Sequence, residues 1–317
     1  MYSLNDESFE RIALKIFRFQ ATENLIYRRY LESLGVDPQG IANVTSIPFL
    51  PISFFKSHLL QSGAWEPAVI YRSSGTTGIQ TSRHAVADPE AYLTHARHHF
   101  ERMFGQLSAY HILPLLPSYL ERPDSSLVAM VSHFVSQSCD PDTSFYTTNY
   151  QELIAALDRI PHDRKVLIWG VTFALLELSK YKLDRREHMM VIETGGMKGR
   201  GKEITRTELH NQLTDAFGLD TIYSEYGMTE LLSQAYTRGG DLFYPANTMR
   251  VFVRDIYDPF NVTTQGSGAL NIVDLANFRT VSFIETEDIV AVRSDGSFEV
   301  RGRLDTSDVR GCNLLIE

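Results

Sequence analysis

No uninterrupted apolar run in the sequence approaches the roughly 18–20 residues of a membrane-spanning helix, so no transmembrane segment is expected. Cysteine is almost missing: Cys139 and Cys312 lie far apart and read as free thiols, not as a disulfide framework. Positive charge is in deficit, with 30 Lys and Arg against 39 Asp and Glu and a net charge of −9. A surface for nucleic acid needs a basic field, so no nucleic-acid partner is expected. The opening Met1–Glu7 has no basic segment followed by an apolar one, which argues against a secretory signal. Internal repeats and low-complexity tracts are absent too. What remains is the composition of an ordinary globular chain, expected to be cytoplasmic. Its 317 residues, 43% of them hydrophobic, suffice for one large domain with a smaller lobe.

One stretch departs from that ordinary composition: Tyr71-Arg72-Ser73-Ser74-Gly75-Thr76-Thr77-Gly78. It cannot pack a core and is too glycine-rich for the interior of a helix or strand. Hydroxyls and close-approach backbone amides suit a loop that wraps a polyanion. A flexible linker is the alternative, but Ala68–Tyr71 reads as a strand leading into the loop, which favours a positioned one. It is not a P-loop, because Gly78 is followed by Ile79-Gln80-Thr81 and not by Lys-Ser/Thr.

Around this loop the sequence predicts an α/β organisation. Residues 6 to about 34 read as helical, with Asp6 as N-cap and Phe9, Ile12, Ala13, Ile16 and Phe17 at helical spacing. Ile47–Ser57 is apolar but interrupted by Pro48 and Pro51, so it is not a central strand. Its Phe54 and Phe55 read as packing residues, or as lining for an apolar pocket. Helix is expected over 88–104, and its His95, His98 and His99 have no Cys or carboxylate at ligand spacing beside them. Strand-like Tyr110–Pro117 follows. Then come helix 150–159, strand Lys165–Gly170, helix 172–181, strand Met189–Glu193, helix 203–217 and a short strand Thr221–Tyr223. That alternation predicts a mainly parallel sheet, whose ligands gather beyond the carboxyl ends of its strands. Beyond about residue 240 the period becomes that of short strands, at Met249–Val253, Ala269–Val273, Asp288–Val292 and Ser297–Val300. The expected division is a helical N-terminal segment with an α/β core over 1–240, and a β-rich lobe over 241–317 that ends in a hinge-like arm.

Four polar stretches stand out: 73–78, Glu193-Thr194-Gly195-Gly196, Tyr226-Gly227-Met228-Thr229-Glu230 and Gly302-Arg303-Leu304-Asp305. Together and in this order they resemble the AMP-forming adenylating superfamily, the acyl-CoA synthetases and their relatives. Within it, Ile47–His58, the short Ser73–Gly78 loop and Asp308-Val309-Arg310-Gly311-Cys312 are most similar to the acyl-protein synthetases. These are the long-chain-fatty-acid–luciferin-component ligases, and phenylacetate–CoA ligases are the next relatives. The resemblance implies the large N-terminal-type domain of that superfamily and a cytoplasmic ligase using ATP and Mg. Ser73, Ser74, Gly75, Thr76, Thr77 and Gly78 would form the phosphate loop. Gly195 and Gly196 would approach adenine, with Tyr226 stacking on the ring beside Gly227. Thr229 would bond the α-phosphate, and Glu230 would ligate Mg, a hard cation suited to carboxylate oxygen. Asp288 would take the ribose hydroxyls, Arg303 would lie near the phosphates, and Asp305 would mark the hinge.

Two departures accompany the resemblance. The phosphate loop carries no lysine; Lys198 and Lys202, close in sequence to the adenine stretch Gly195-Gly196, read as surface lysines or as substitutes for that cation. The chain stops at Glu317, just past the hinge, so the superfamily's mobile C-terminal domain is expected to be absent. Cys312, beside Arg310, would then be the thiol that accepts the acyl group, unless it is a small buried residue. The function implied is ATP-dependent activation of a carboxylic acid, notably a fatty acid, to acyl-AMP, followed by transfer to a thiol. A reductase, an acyltransferase or a carrier protein would be the partner. An acyl-CoA ligase of phenylacetate type and a nucleotide-binding regulatory homologue remain as alternatives.

Overall fold

In a computed structural model of the protein, residues 5–73, 81–116, 123–181, 183–195 and 204–304 are described. The chain begins with two helices, α1 (Asp6–Glu23) and α2 (Leu25–Ser33). The single helix expected over 6–34 is therefore broken, at Asn24. This residue ends α1 and caps α2, its Oδ1 accepting from the backbone of Ile26 (3.1 Å) and Tyr27 (3.0 Å). The first cap is Asn5 and not Asp6, because the Asn5 side chain accepts from Ser8 N at 2.9 Å. Phe9, Ala13, Phe17, Gln20 and Ala21 form the buried stripe of α1.

The proline-broken segment gives a two-residue strand β1 (Leu50–Pro51) and a one-turn helix α3 (Phe54–Ser57). Phe55 packs edge-on against His84, and Phe54 against Tyr30 and His58. Strands β2 (Val69–Arg72) and β3 (Arg83–Val86) then make an antiparallel hairpin, Arg72 opposite Arg83. Helix α4 (Pro89–Phe104) leads to β4 (Tyr110–Leu115), followed by α5 (Ser126–Ser136) and α6 (Tyr150–Arg159). The alternation continues through β5 (Lys165–Val171), α7 (Thr172–Leu178), β6 (Met189–Thr194), α8 (Arg206–Phe217) and β7 (Tyr223–Tyr226). Helix α5 is not foreseen by periodicity. Its Ser-Leu-Val-Ala-Met-Val run is apolar nearly all round, so it has no polar face to reveal a period. The last of these strands is displaced from the expected 221–223. Ser224 and Glu225, polar as they are, pair with Glu193 and Thr194 of β6, and the ladder sets the strand.

Short strands β8 (Ala235–Thr237) and β9 (Phe243–Pro245) turn the chain back. The β-rich region then supplies β10 (Met249–Arg254), β11 (Val262–Thr263), β12 (Gly266–Asp274), β13 (Phe283–Val292) and β14 (Phe298–Arg303). Strand β13 begins five residues before the expected Asp288, because Phe283–Glu285 pair with Ile272 and its neighbours on β12. All of these strands join one 12-stranded sheet in the order β11-β10-β12-β13-β14-β9-β8-β7-β6-β5-β4, with β1 added on β13. The segment β4 to β7 is parallel, the path from β7 to β11 is antiparallel, and β1 lies parallel to β13. Strands β5 and β6 are buried on both faces, as parallel strands between helices must be.

Two apolar cores result. One surrounds Trp169, Phe100 and Phe134 under the parallel half. The other joins α1 and α2 to the β-rich half, with Phe283 touching Phe17 at 5.8 Å and Tyr27 at 6.4 Å between ring centroids. Side chains of α1 and the following turn also hold the segment after β12. Gln20 Nε2 donates to the carbonyls of Asn277 (3.1 Å) and Phe278 (3.0 Å), and Asn24 Nδ2 donates to that of Thr280 (3.1 Å). Replacing Asn24 by Ala removes both a helix cap and a buried donor. Urea unfolding should show a loss of about 2 kcal/mol. A loss under about 0.5 kcal/mol, the usual range of an exposed substitution, would contradict this role.

Candidate active site

The hairpin β2–β3 presents the glycine-rich loop from a fixed base. Ser73 N donates to Ser82 O at 3.1 Å, and Ser73 Oγ accepts from Ser82 N at 2.9 Å. Arg72 reinforces the base through an ion pair with Asp124 at 3.5 Å. Ser74, Gly75, Thr76, Thr77 and Gly78, together with Gly196, Lys198, Lys202, Asp305, Arg310 and Cys312, lie outside the described residues.

Strands β6 and β7 bring the other stretches to the same sheet edge. Gly195, directly after β6, has a left-handed φ of 74°, a conformation glycine adopts without steric cost. Its carbonyl accepts from Thr172 Oγ1 at 3.1 Å. Tyr226 ends β7, its ring edge-on to Phe298 and Phe243. Its hydroxyl donates to Asp288 Oδ2 at 2.6 Å. Asp288 lies opposite Arg303 in the β13–β14 ladder, and Arg303 Nε reaches Asp288 Oδ1 at 3.2 Å. Burial raises the Asp288 carboxyl, while the Tyr226 hydroxyl and the Arg303 guanidinium pull it back down. Burial, with Asp288 alongside, holds the Tyr226 phenol well above its ordinary range, so it stays a donor. Tyr226, Asp288 and Arg303 are thus brought into one contact group. Gly227 packs under Glu225, whose Oε1 would have to shift to admit a Cβ there.

The residues that follow, Thr229 to Ser233, form a buried or half-buried turn whose backbone is satisfied by side chains from elsewhere. His84 Nδ1 donates to Thr229 O at 2.7 Å, and Asn277 Nδ2 to Glu230 O at 2.8 Å. The fully buried Asp274 accepts from Leu232 N (2.9 Å), Ser233 N (3.0 Å) and Ser233 Oγ (2.6 Å). The Glu230 side chain is only 5% exposed, and Ser82, at the base of the glycine loop, is among the groups that act on its carboxyl. Burial raises its carboxyl, and Ser82, Lys56 and Arg303 act in the opposite sense. The structure therefore brings Glu230, Ser73, Tyr226, Asp288 and Arg303 to one region through shared neighbours.

His84, Asp274, Asn277 and Ser82 are missed by the sequence reading. His84 is 145 residues from Thr229 and Asn277 is 47 from Glu230, so no local spacing signals them. The helix-borne histidines find polar and aromatic partners: His95 bonds Ser233 and Thr248, and His99 packs on Tyr236. Among the described residues no group of three or more His, Cys, Asp or Glu is placed to hold a metal. Glu230 fits a magnesium ion held largely by ligand phosphates, which needs only one or two protein carboxylates. Cys139 is exposed, its Sγ donating to Tyr110 O at 3.0 Å. No helix among the described residues is long and apolar enough to cross a membrane.

No protein-family model matches the sequence, and no curated protein matches it. Solved structures do share the fold. ATP-bound MatB from Rhodopseudomonas palustris aligns with a TM-score of 0.55 at 15% identity, covering 74% of this chain and 47% of that one. An open conformation of 2-hydroxyisobutyryl-CoA ligase, in complex with 2-HIB-AMP and CoA, aligns with a TM-score of 0.72 at 13% identity, covering 95% and 75%. The O-succinylbenzoate coenzyme A synthetase MenE from Bacillus subtilis, in complex with AMP, gives 0.53 at 16%, covering 76% and 50%. The chain thus spans about half the length of MatB and MenE and three quarters of the 2-hydroxyisobutyryl-CoA ligase. Its fold is that of the adenylate-forming ligases, a mixed α/β domain with one large sheet.

His84 offers a test of how tightly the turn is held. Thr229 O can only accept, so Nδ1 carries the proton and Nε2 is left to accept from Thr280 Oγ1 at 3.2 Å. Burial lowers the imidazole to about 4, below the ordinary 6.5. The unfolded chain therefore takes up the proton first on acidification. Stability is retained above about pH 6.5 and is lost toward pH 4, by on the order of 3 kcal/mol from this group. In paired urea titrations, His84→Gln should lose less stability than wild type between those pH values. Equal losses would show that the ring is free to protonate in the fold.

Proposed function

We propose that the protein activates a carboxylic acid, with a fatty acid as the favoured class, by adenylation with ATP and then passes the acyl group to a thiol. One observation carries this reading. The base of the glycine loop, the buried Glu230 and the Tyr226–Asp288–Arg303 group converge beside the carboxyl ends of parallel strands, where open sheets bind their ligands. The neighbours in fold are described with ATP, AMP or an acyl-adenylate, which agrees with that use of the edge.

In this reading the loop Ser73–Gly78 holds the β- and γ-phosphates, and Gly195 and Gly196 flank the adenine on which Tyr226 stacks beside Gly227. Asp288 receives the ribose hydroxyls, so nucleotide binding replaces the Tyr226 hydroxyl as its partner. Thr229 and Arg303 address the phosphates. Glu230 would hold magnesium, which would supply neutralisation of phosphate charge. A carboxylate oxygen of the acid attacks the α-phosphorus as the bond to the bridging oxygen breaks, and pyrophosphate leaves with that electron pair. A thiolate then attacks the acyl carbon and AMP departs, leaving a thioester. The protein's contribution is alignment and charge stabilisation, not covalent chemistry in the first step. Cys312 is the proposed acceptor within this chain, and a protein such as a reductase, an acyltransferase or a carrier would receive the group from it. The cytoplasm is the proposed location.

Acid-dependent exchange of labelled pyrophosphate into ATP tests the first step directly. A panel of acids of different chain length should support exchange, with fatty acids best. Asp288→Ala should raise the KM for ATP by about tenfold or more, as expected when a buried partner of two hydroxyls is lost. Glu230→Gln should act mainly on kcat. Tight ATP binding without exchange for any acid would instead assign a regulatory homologue, in line with the missing loop lysine. For the second step, wild type incubated with ATP, Mg and a fatty acid should gain a hydroxylamine-labile mass increment that Cys312→Ser lacks. The same increment on Cys312→Ser, or acid-dependent consumption of CoA without any adduct, would overturn self-acylation.

A further inference from the structure

Two buried carboxyls at the sheet edge have no part in the reaction proposed above. Glu193 and Glu225 are 4% and 7% exposed. In the β6–β7 ladder Glu193 pairs with Ser224 and Thr194 with Glu225. Side chains alternate along a strand, so Glu193 faces α8 while Glu225 and Thr194 face the opposite side. On the α8 side, Glu193 Oε2 accepts from Thr172 Oγ1 at 3.1 Å, the hydroxyl that also reaches the Gly195 carbonyl. Arg206 and His210 approach Glu193 Oε1 at 3.7 and 3.9 Å. On the other side, the Thr194 hydroxyl bonds Glu225 Oε2, while Glu225 Oε1 occupies the space that a Cβ on residue 227 would need. Glu225 therefore touches the last residue of β6, just before Gly195, and also folds over the turn at Tyr226–Gly227.

We propose that Glu225 is a positioning residue that holds these two backbone turns at the spacing an adenine ring requires, and that it does so as the neutral acid. The proposal rests on the nucleotide reading given above for what the spacing serves, but not for the latch itself. Its surroundings favour the uncharged form. Among the described residues no arginine or lysine shifts it, and the ionisable groups there that face it are the phenols of Tyr92 on α4 and Tyr236 on β8, with Glu193 beyond. Arg206 and His210 are directed at Glu193 across the sheet. Burial, reinforced by Glu193 and opposed by the Thr194 hydroxyl, raises the Glu225 carboxyl to about 7. Ionisation above that pH would place an unpaired charge in the core and loosen the contact with Gly227.

The test compares wild type with Glu225→Gln, which keeps the shape without the charge, and with Glu225→Ala. Equilibrium binding of ATP should weaken several-fold in wild type as pH rises from 6 to 8. Glu225→Gln should keep the low-pH affinity throughout, and Glu225→Ala should bind about tenfold or more weakly at every pH. A Glu225→Gln profile that follows wild type, or wild-type affinity in Glu225→Ala, overturns the proposal. Thermal unfolding without nucleotide separates the two readings. The unfolded carboxyl ionises first, so wild type should lose Tm relative to Glu225→Gln between about pH 4.5 and 7. Parallel Tm profiles overturn the latch whether or not ATP binds. A divergent Tm with no ATP binding to any variant overturns only the nucleotide reading.

Discussion

The stretch Thr229–Ser233 is buried or half-buried, and a peptide group withdrawn from water must find a partner. In a regular strand or helix the neighbouring backbone would supply it. Here the partners are side chains: His84 from β3 for Thr229, Asn277 for Glu230, and Asp274 for Leu232 and Ser233. The segment that supplies Asn277 is itself held by Gln20 from α1. Distant parts of the chain therefore have to be in place before Glu230 is presented next to Ser82. Removing any one partner would leave a buried peptide group unsatisfied, at a cost of about 1–3 kcal/mol. This couples the folding of both halves of the sheet to the geometry of a single turn.

Charge is arranged by the same logic. The chain carries an acidic excess, and several of its carboxyls are buried near one sheet edge: Glu193, Glu225, Glu230 and Asp288. Such groups would repel a triphosphate if all were ionised and unpaired. Asp288 is paired with Arg303 and bonded by Tyr226. Glu193 is approached by Arg206, and Glu230 feels Lys56 and Arg303. Glu225 is bonded by the Thr194 hydroxyl while burial and Glu193 raise it, which is why its protonation is the variable one. In the proposed reading, an edge built in this way would accept an anion together with a magnesium ion and still keep its carboxyls in a low-dielectric setting.

Much of this architecture was legible in the sequence, for identifiable reasons. Strands β4, β5 and β6 are apolar on both faces, and α6 between β4 and β5 has a polar side, so their alternation could be read directly. The turn-forming Gly195 and Gly227 marked strand ends. Helix α5 was illegible because its first turns are apolar nearly all round, and β7 was misplaced because its pairing, not its composition, makes Ser224 and Glu225 extended. In the site, Tyr226, Asp288 and Arg303 could be named from the motifs they occupy. The supports could not. His84, Asp274 and Asn277 look like ordinary polar residues, and their role exists only once the chain has folded. The contact of Glu225 with Gly227 was equally hidden, although a glycine directly after a tyrosine at a strand end was its one outward sign.

The central claim is that the Tyr226–Asp288–Arg303 group and Glu230 form a site for an acyl-adenylate. Calorimetric titration with a non-hydrolysable acyl sulfamoyl adenosine measures this without needing turnover or a thiol acceptor. The account predicts one site per chain, with affinity at least tenfold above that for AMP and largely lost in Asp288→Ala. Affinity no better than that of AMP, or binding unchanged in Asp288→Ala, would contradict it.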